Sequence, residues 1–226
     1  MKLVIRCAIL LKCGTSTKRK LMGDINKYTT IDANGTGDFR DRGSKFLAYA
    51  YPIQTTQDVK DLLHALKKEH PKAVHHCYAY RIGMDGTQFR ANDDGEPSGS
   101  AGKPIMGQID SLGLTNVLVV VVRYWGGSLL GVPGLINAYK TATAQALSGV
   151  PKTEKWIENL FDIEFDYPAI GEVLYLLKQS EATIYKQDLQ LFCSVKAGIP
   201  RLNSDAYVKR LSEIRGVKIN ISKQPD

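Results

Sequence analysis

The strongest signal in the hydrophobic pattern is one continuous apolar run. Asn116–Tyr124, NVLVVVVRY, carries the uninterrupted aliphatic stretch Val117–Val122. A short β-branched run of this kind reads as a strand buried on both faces. Upstream, Lys45–Ile53 (KFLAYAYPI) and His75–Ile82 (HHCYAYRI) alternate as strands do. Between them, Val59, Leu62, Leu63 and Leu66 keep helical spacing, which predicts a helix over Gln57–Glu69, capped by Thr55 or Thr56 and ended at Pro71. Pro104–Leu112 reads as a short helix with proline in its first turn. Gly134–Leu147 reads as a longer one, with Leu135, Ala138, Ala142 and Ala146 turned to a sheet. Two stretches read as loops: the turn-rich Asp32–Asp38 and the long Gly83–Lys103. Ser148-Gly149-Val150-Pro151 stops the longer helix and marks an expected domain boundary. The remainder alternates in order: strand Leu160–Tyr167, helix Ile170–Gln179, a hairpin of Thr183–Gln187 and Leu189–Lys196, helix Asp205–Ile214 capped near Asn203 or Ser204, strand Val217–Ile221. That βαββαβ order is the ferredoxin-like arrangement. The fold class is therefore α+β, with expected domains at 22–150 and 151–226.

Composition narrows the class. With 226 residues, 43% hydrophobic and 23% charged, the chain is neither disordered nor of a size that demands many domains. No apolar run approaches the roughly 18 residues of a membrane-spanning helix. The formal net charge of +7 invites a nucleic-acid reading, but its distribution does not. Residues 1–21, MKLVIRCAILLKCGTSTKRKL, hold Lys2, Arg6, Lys12, Lys18, Arg19 and Lys20 and no acid, so they account for +6. This leader is expected to be poorly ordered or untranslated, with Met22 as the working start. A basic arm for RNA or an anionic surface is the alternative, and a secretory signal is disfavoured because no Ala-x-Ala-like site follows. The body is close to neutral. Its cysteines, Cys77 and Cys193 beside Cys7 and Cys13 in the leader, form neither a disulfide framework nor a zinc knuckle, which fits a cytoplasmic protein.

Two segments carry candidate chemistry. The first runs from Asp93-Asp94-Gly95-Glu96-Pro97-Ser98 to Gly102-Lys103-Pro104. Its carboxylates suit acid–base work or Mg²⁺, and its glycines let backbone N–H groups approach an anion at the following helix. It is not a Walker A loop, because Pro97 and Pro104 stand where Gly and Ser or Thr are needed. A solvated acidic turn is the alternative. The second is Arg123-Tyr124-Trp125-Gly126-Gly127-Ser128-Leu129-Leu130-Gly131, between the buried strand and a helix. Arg123 suits a phosphate or carboxylate, and Tyr124 and Trp125 suit a base. The alternative is a tight turn with Arg123 paired to Asp93 or Asp94. In His75-His76-Cys77, strand alternation puts His75 and Cys77 on one face, but two ligands make no zinc site, and no third group completes a nucleophile pair. No metal or other cofactor is expected.

Taken together, Gly102-Lys103-Pro104-Ile105-Met106, Ile109, Leu114, Val120-Val121, Arg123-Tyr124-Trp125-Gly126-Gly127 and Gly131 resemble the signature of the IMPACT/YigZ family. Asp93–Ser98 before them, and Gly134-Leu135 and Ala138-Tyr139 after, extend the resemblance over roughly 22–150. The βαββαβ piece matches the second domain of the bacterial branch, whose members usually begin near Met22. The resemblance implies a first domain similar to domain IV of elongation factor G and a second similar to its ferredoxin-like domain V. It implies a cytoplasmic role in translation, since the eukaryotic members are translational regulators, and it carries over no catalytic residue.

Three functions follow as expectations. The first is a non-enzymatic binding protein contacting RNA, the ribosome or a translation factor through Asp93, Asp94, Glu96, Ser98, Lys103, Arg123, Tyr124, Trp125, Gly126 and Gly127. The second is a protein–protein regulator, which requires an exposed apolar patch. The third is an enzyme on a phosphorylated or nucleotide substrate, which requires a pocket where Asp94, Glu96, Arg123 and Gly127 converge. The sequence assigns no oligomeric state.

Overall fold

The computed structural model describes residues 26–222; the basic leader 1–21 and its expected start at Met22 lie outside that range. The first half is built on a five-stranded antiparallel sheet. Its strands are β2 (Gly35–Asp41), β3 (Ser44–Pro52), β4 (His75–Ile82), β5 (Gln88–Asn92) and β6 (Val117–Tyr124), in the spatial order β2-β3-β6-β4-β5. The apolar run is the central strand β6, and alternate residues feed two cores. Val117, Val119 and Val121 join the helices α2 (Gly102–Ser111) and α3 (Gly131–Ser148) on one face. Leu118, Val120 and Val122 pack with Val59 and Leu66 of α1 (Thr56–Glu69) on the other. An antiparallel strand is thus buried on both sides because helices cover both faces, not because the sheet is parallel.

The N-terminus of α1 is fixed as its sequence suggests. Thr55 Oγ1 accepts the Asp58 N–H at 3.2 Å while Asp58 Oδ2 accepts the N–H groups of Gln54 and Thr55, a reciprocal capping box. These bonds, led by that from Gln54, hold the Asp58 carboxyl below its ordinary pKa.

The second half has the order β8 (Glu158–Asp166), α4 (Ile170–Gln179), β9 (Thr183–Leu189), β10 (Phe192–Pro200), α5 (Ser204–Ser212), β11 (Lys218–Ile221). The antiparallel sheet order is β11-β8-β10-β9, which is the ferredoxin-like topology. Phe161, Ile163 and Phe165 face the helices with Val173, Leu177, Val195 and Ile199. The alternate β8 positions, Asp162, Glu164 and Asp166, therefore lie on the uncovered face.

Four strands depart from the sequence pattern. β1 (Lys27–Ile31) and β7 (Lys152–Trp156) form a separate two-stranded antiparallel ribbon, reinforced by Lys155–Asp32 at 2.8 Å. β5 lies within the segment expected to be loop; it is an exposed edge strand with no apolar alternation to betray it. β2 occupies part of the expected turn. Its glycines reflect close packing under α3: a Cβ on Gly37 would sit 2.5 Å from the Ala142 carbonyl oxygen. Among the described residues, no helix is long and apolar enough to cross a membrane.

This contact makes a prediction about stability. Gly37→Ala overfills the β2–α3 seam and is expected to destabilise the fold by about 1–3 kcal/mol. Urea denaturation measures it, and an unchanged midpoint would show that the two elements separate freely.

Candidate functional site

The acidic segment and the strand-to-helix loop meet around one buried carboxylate. Glu96 is 8% exposed and Arg123 is 7% exposed. Arg123 Nη1 lies 2.6 Å from Glu96 Oε1, and the same oxygen accepts the Tyr139 hydroxyl at 2.7 Å. Arg123 comes from the end of β6, Tyr139 from α3, and Glu96 from the segment between β5 and α2. One carboxylate thereby ties three elements together. The guanidinium also lies over the Phe46 ring, 5.5 Å from its centroid, and Phe46 meets Tyr139 edge-on at 5.1 Å. Arg123 thus pairs with Glu96 rather than with Asp93 or Asp94.

The two aspartates are consumed by the backbone. Asp93 Oδ1 accepts the N–H groups of Ala101 and Gly102 at 3.0 and 2.7 Å, and Oδ2 accepts that of Gly99 at 2.9 Å. Ala101, at the N-cap of α2, has no side-chain acceptor of its own, so Asp93 supplies the cap. The place at this helix N-terminus where an external anion could bind holds the chain's own carboxylate. Burial works against the charge of Asp93, but the three N–H bonds outweigh it and hold the group below its ordinary pKa. Asp94 Oδ2 accepts the His76 N–H at 2.6 Å, and the Asp94 carbonyl accepts the His75 Nδ1–H at 2.7 Å. Among the described residues, no three His, Cys, Asp or Glu side chains are grouped to hold a metal.

His75 and Cys77 share the face predicted by alternation, but not as a nucleophile pair. His75 Nε2 lies 4.0 Å from Glu96 Oε1. The Cys77 sulfur sits 3.0 Å from the Asp93 carbonyl and 3.3 Å from the Tyr139 hydroxyl. Burial pushes the Cys77 thiol far above its ordinary pKa, and burial together with Cys77 and Glu96 does the same to Tyr139. Burial thus favours the protonated form of both groups, the opposite of what an activated thiolate needs.

The other candidate residues do not join this network. Ser98 and Lys103 are exposed, Lys103 on the first turn of α2. Tyr124 points to the opposite sheet face, where its hydroxyl meets His70 Nδ1 at 2.9 Å; His70 Nε2 in turn meets the Tyr49 hydroxyl at 2.8 Å. Trp125 is 57% exposed at the start of the loop. Gly126 is pressed on the Gly43–Ser44 backbone so closely that a Cβ would overlap Gly43, and its N–H donates to Ser44 Oγ at 3.2 Å. Gly127 is exposed and open on its Cβ side. Asp94, Glu96 and Arg123 are neighbours, but Gly127 does not converge on them, and a cleft of about 690 Å³ is lined instead by Tyr28, Gln54, Asn116, Leu160 and Tyr185 among others. The sequence pattern did not single out Tyr139 as a site residue. The available signal was a hydroxyl on the inward alanine stripe of α3, which requires a buried partner.

Comparison with known proteins agrees with the sequence signature. The model of the Impact N-terminal domain matches residues 42–147. An IMPACT family member of Haemophilus influenzae is 34% identical over 75% of this chain and 84% of its own length. The IMPACT family member YigZ of Escherichia coli K12 is 31% identical with the same coverage of both chains. A solved structure described as a hypothetical protein superposes with a TM-score of 0.68 at 28% identity, covering 89% of this chain and all of the other.

Two predictions follow from the buried groups. Arg123→Ala or Glu96→Ala alone leaves an unpaired buried charge and is expected to cost about 3–5 kcal/mol of stability. The double variant Arg123→Met, Glu96→Leu should recover most of that loss; denaturation midpoints decide, and single losses below about 1 kcal/mol contradict the coupling. His76 is buried with its Nε2 unbonded, and burial lowers its pKa below the ordinary 6.5. The folded state prefers the neutral ring, so this contribution is complete above pH 6.5 and is lost as pH falls toward the lowered folded value. A His76→Leu variant should lose less stability than the parent between pH 7 and 5, read as the shift in thermal midpoint.

Proposed function

We propose a function on one premise: the chain belongs to the IMPACT family. The reading is a non-enzymatic, cytoplasmic binding protein that associates with RNA, the ribosome or a translation factor and thereby regulates translation. Translation is what the family resemblance implies; the binding character is supported by the site itself. The observation that carries it is the division of labour in the motif. Its carboxylates Asp93, Asp94 and Glu96 and its Arg123 are used in internal bonds, while Trp125 and Lys103 face solvent. A group held in a buried pair is poorly placed to bind substrate or move a proton, whereas an exposed tryptophan on a braced loop is suited to contact. We take residues 22–150 as the unit that makes this contact and 151–226 as a second domain.

Electrostatics bear on where an RNA contact could lie. Residues 22–151 hold 13 basic and 12 acidic side chains, and 152–226 hold 11 of each. Ferredoxin-like sheets that read single-stranded RNA stack bases on aromatics of their central strands. Here the corresponding face of β8 presents Asp162, Glu164 and Asp166, which would repel phosphates.

Co-sedimentation of the full chain with ribosomes tests the reading. At low salt it is expected to pellet with them, and Trp125→Ala should reduce the pelleted fraction severalfold. A chain that stays in the supernatant like an unrelated protein of the same size would remove the ribosome from the proposal.

A further inference from the structure

The loop after β6 and the outer stripe of α3 form a surface that the buried network supports but does not use. Leu129 is 85% exposed, Val132 46% and Ile136 39%. Val132, Ile136 and Lys140 recur at four-residue steps and so lie along one face of α3, with Leu129 just ahead of its first turn. A leucine this exposed would ordinarily sit on a mobile tip, but this loop is pinned. Gly126 rests against Gly43 and Ser44, and Arg42 Nη1 donates to the Leu129 carbonyl at 3.4 Å. On the flanking elements, Arg123 near the end of β6 and Tyr139 midway along α3 are fastened to the same Glu96 oxygen.

The charge around this surface is mainly basic. From Ser111 through Thr153 the chain contains no acidic residue, but it contains Arg123, Lys140 and Lys152. Arg123 is neutralised by Glu96, leaving Lys140 exposed on the apolar stripe and Arg42 exposed beside the loop. Of the acids on the neighbouring hairpin, Asp38 is paired with Arg40 and Lys45, and Asp41 remains.

Resting on the reading of the chain as a binding protein, we propose that this surface docks a protein helix carrying an apolar stripe flanked by Asp and Glu. Of the exposed apolar groups on the loop and this stripe, Leu129, Val132 and Ile136 are aliphatic and only Trp125 offers a ring for a base to stack on, which favours protein over RNA. Knobs spaced along α3 suit the ridges of a partner helix, and an acidic flank meets Lys140 and Arg42 in complementary fashion. The pinned loop is already in its binding shape, so little ordering is needed on contact.

The test places the photo-crosslinking residue p-benzoylphenylalanine at position 129 of the full chain, with position 175 on α4, also exposed, as the control. After irradiation in cells, the peptide joined at 129 is identified by mass spectrometry. It should come from a protein, carry net negative charge and show apolar residues at helical spacing. A synthetic copy should bind the full chain, and Ile136→Asp or Lys140→Glu should each weaken it at least tenfold, both being surface changes. Cross-links to RNA, a neutral or basic peptide, no signal above that at 175, or affinity indifferent to these substitutions would each overturn the proposal. Ribosome pelleting with RNA cross-links at 129 would reject this partner alone. An acidic helix from a protein unrelated to translation, with no pelleting, would reject the broader function alone.

Discussion

The first half of the molecule is organised by a single buried carboxylate. Glu96 leaves water to meet Arg123 and Tyr139, and each arrives from a different element. A buried charge without partners costs far more than most single contacts contribute, so the three elements are held to one relative arrangement. The pair is weak as a source of net stability, because its attraction is set against desolvation. Its larger effect is geometric. It fixes how β6 and α3 sit relative to each other, and the loop between them inherits that spacing.

The same logic runs through the neighbouring bonds. Asp93 replaces the missing cap of α2, Asp94 orders the His75–His76 backbone, and Gly126 lets the loop lie on the β2–β3 turn. Polar residues clustered beside a glycine-rich turn are a common outline of an active site, and here they close on one another. The chemistry suggested by the composition of the segment is real, but it acts within the chain. Burial also raises the pKa of the Cys77 thiol, which sits beside the Tyr139 hydroxyl, and so disfavours its thiolate.

How much of this was legible in the sequence depends on where the information lies. β6, α1, α3 and the βαββαβ order were readable because burial imposes periodicity on their own residues. β5 and β7 were not, because they are exposed strands without apolar alternation; β5 closes a hairpin on β4, while β7 pairs with the distant β1. β2 was masked by Gly35 and Gly37, which look like turn residues but answer to a helix more than a hundred positions away. At the site, the segment was identifiable but its pairing was not. Choosing Glu96 over Asp93 or Asp94 for Arg123 requires knowing that Asp93 is already committed to the start of α2.

The +7 net charge, by contrast, was misleading as a whole-chain quantity. Most of it falls in residues 1–21, and the body is balanced within each half. What balance conceals is segregation. The stretch from 111 to 153 holds no acid and faces solvent through Leu129, Val132, Ile136 and Lys140, while β8 turns Asp162, Glu164 and Asp166 to the open face of the second sheet. A neutral protein with faces of opposite local sign can orient on a partner without the long-range, salt-sensitive attraction of a basic one. Recognition then depends on short-range fit, for which a loop braced by buried bonds is well suited.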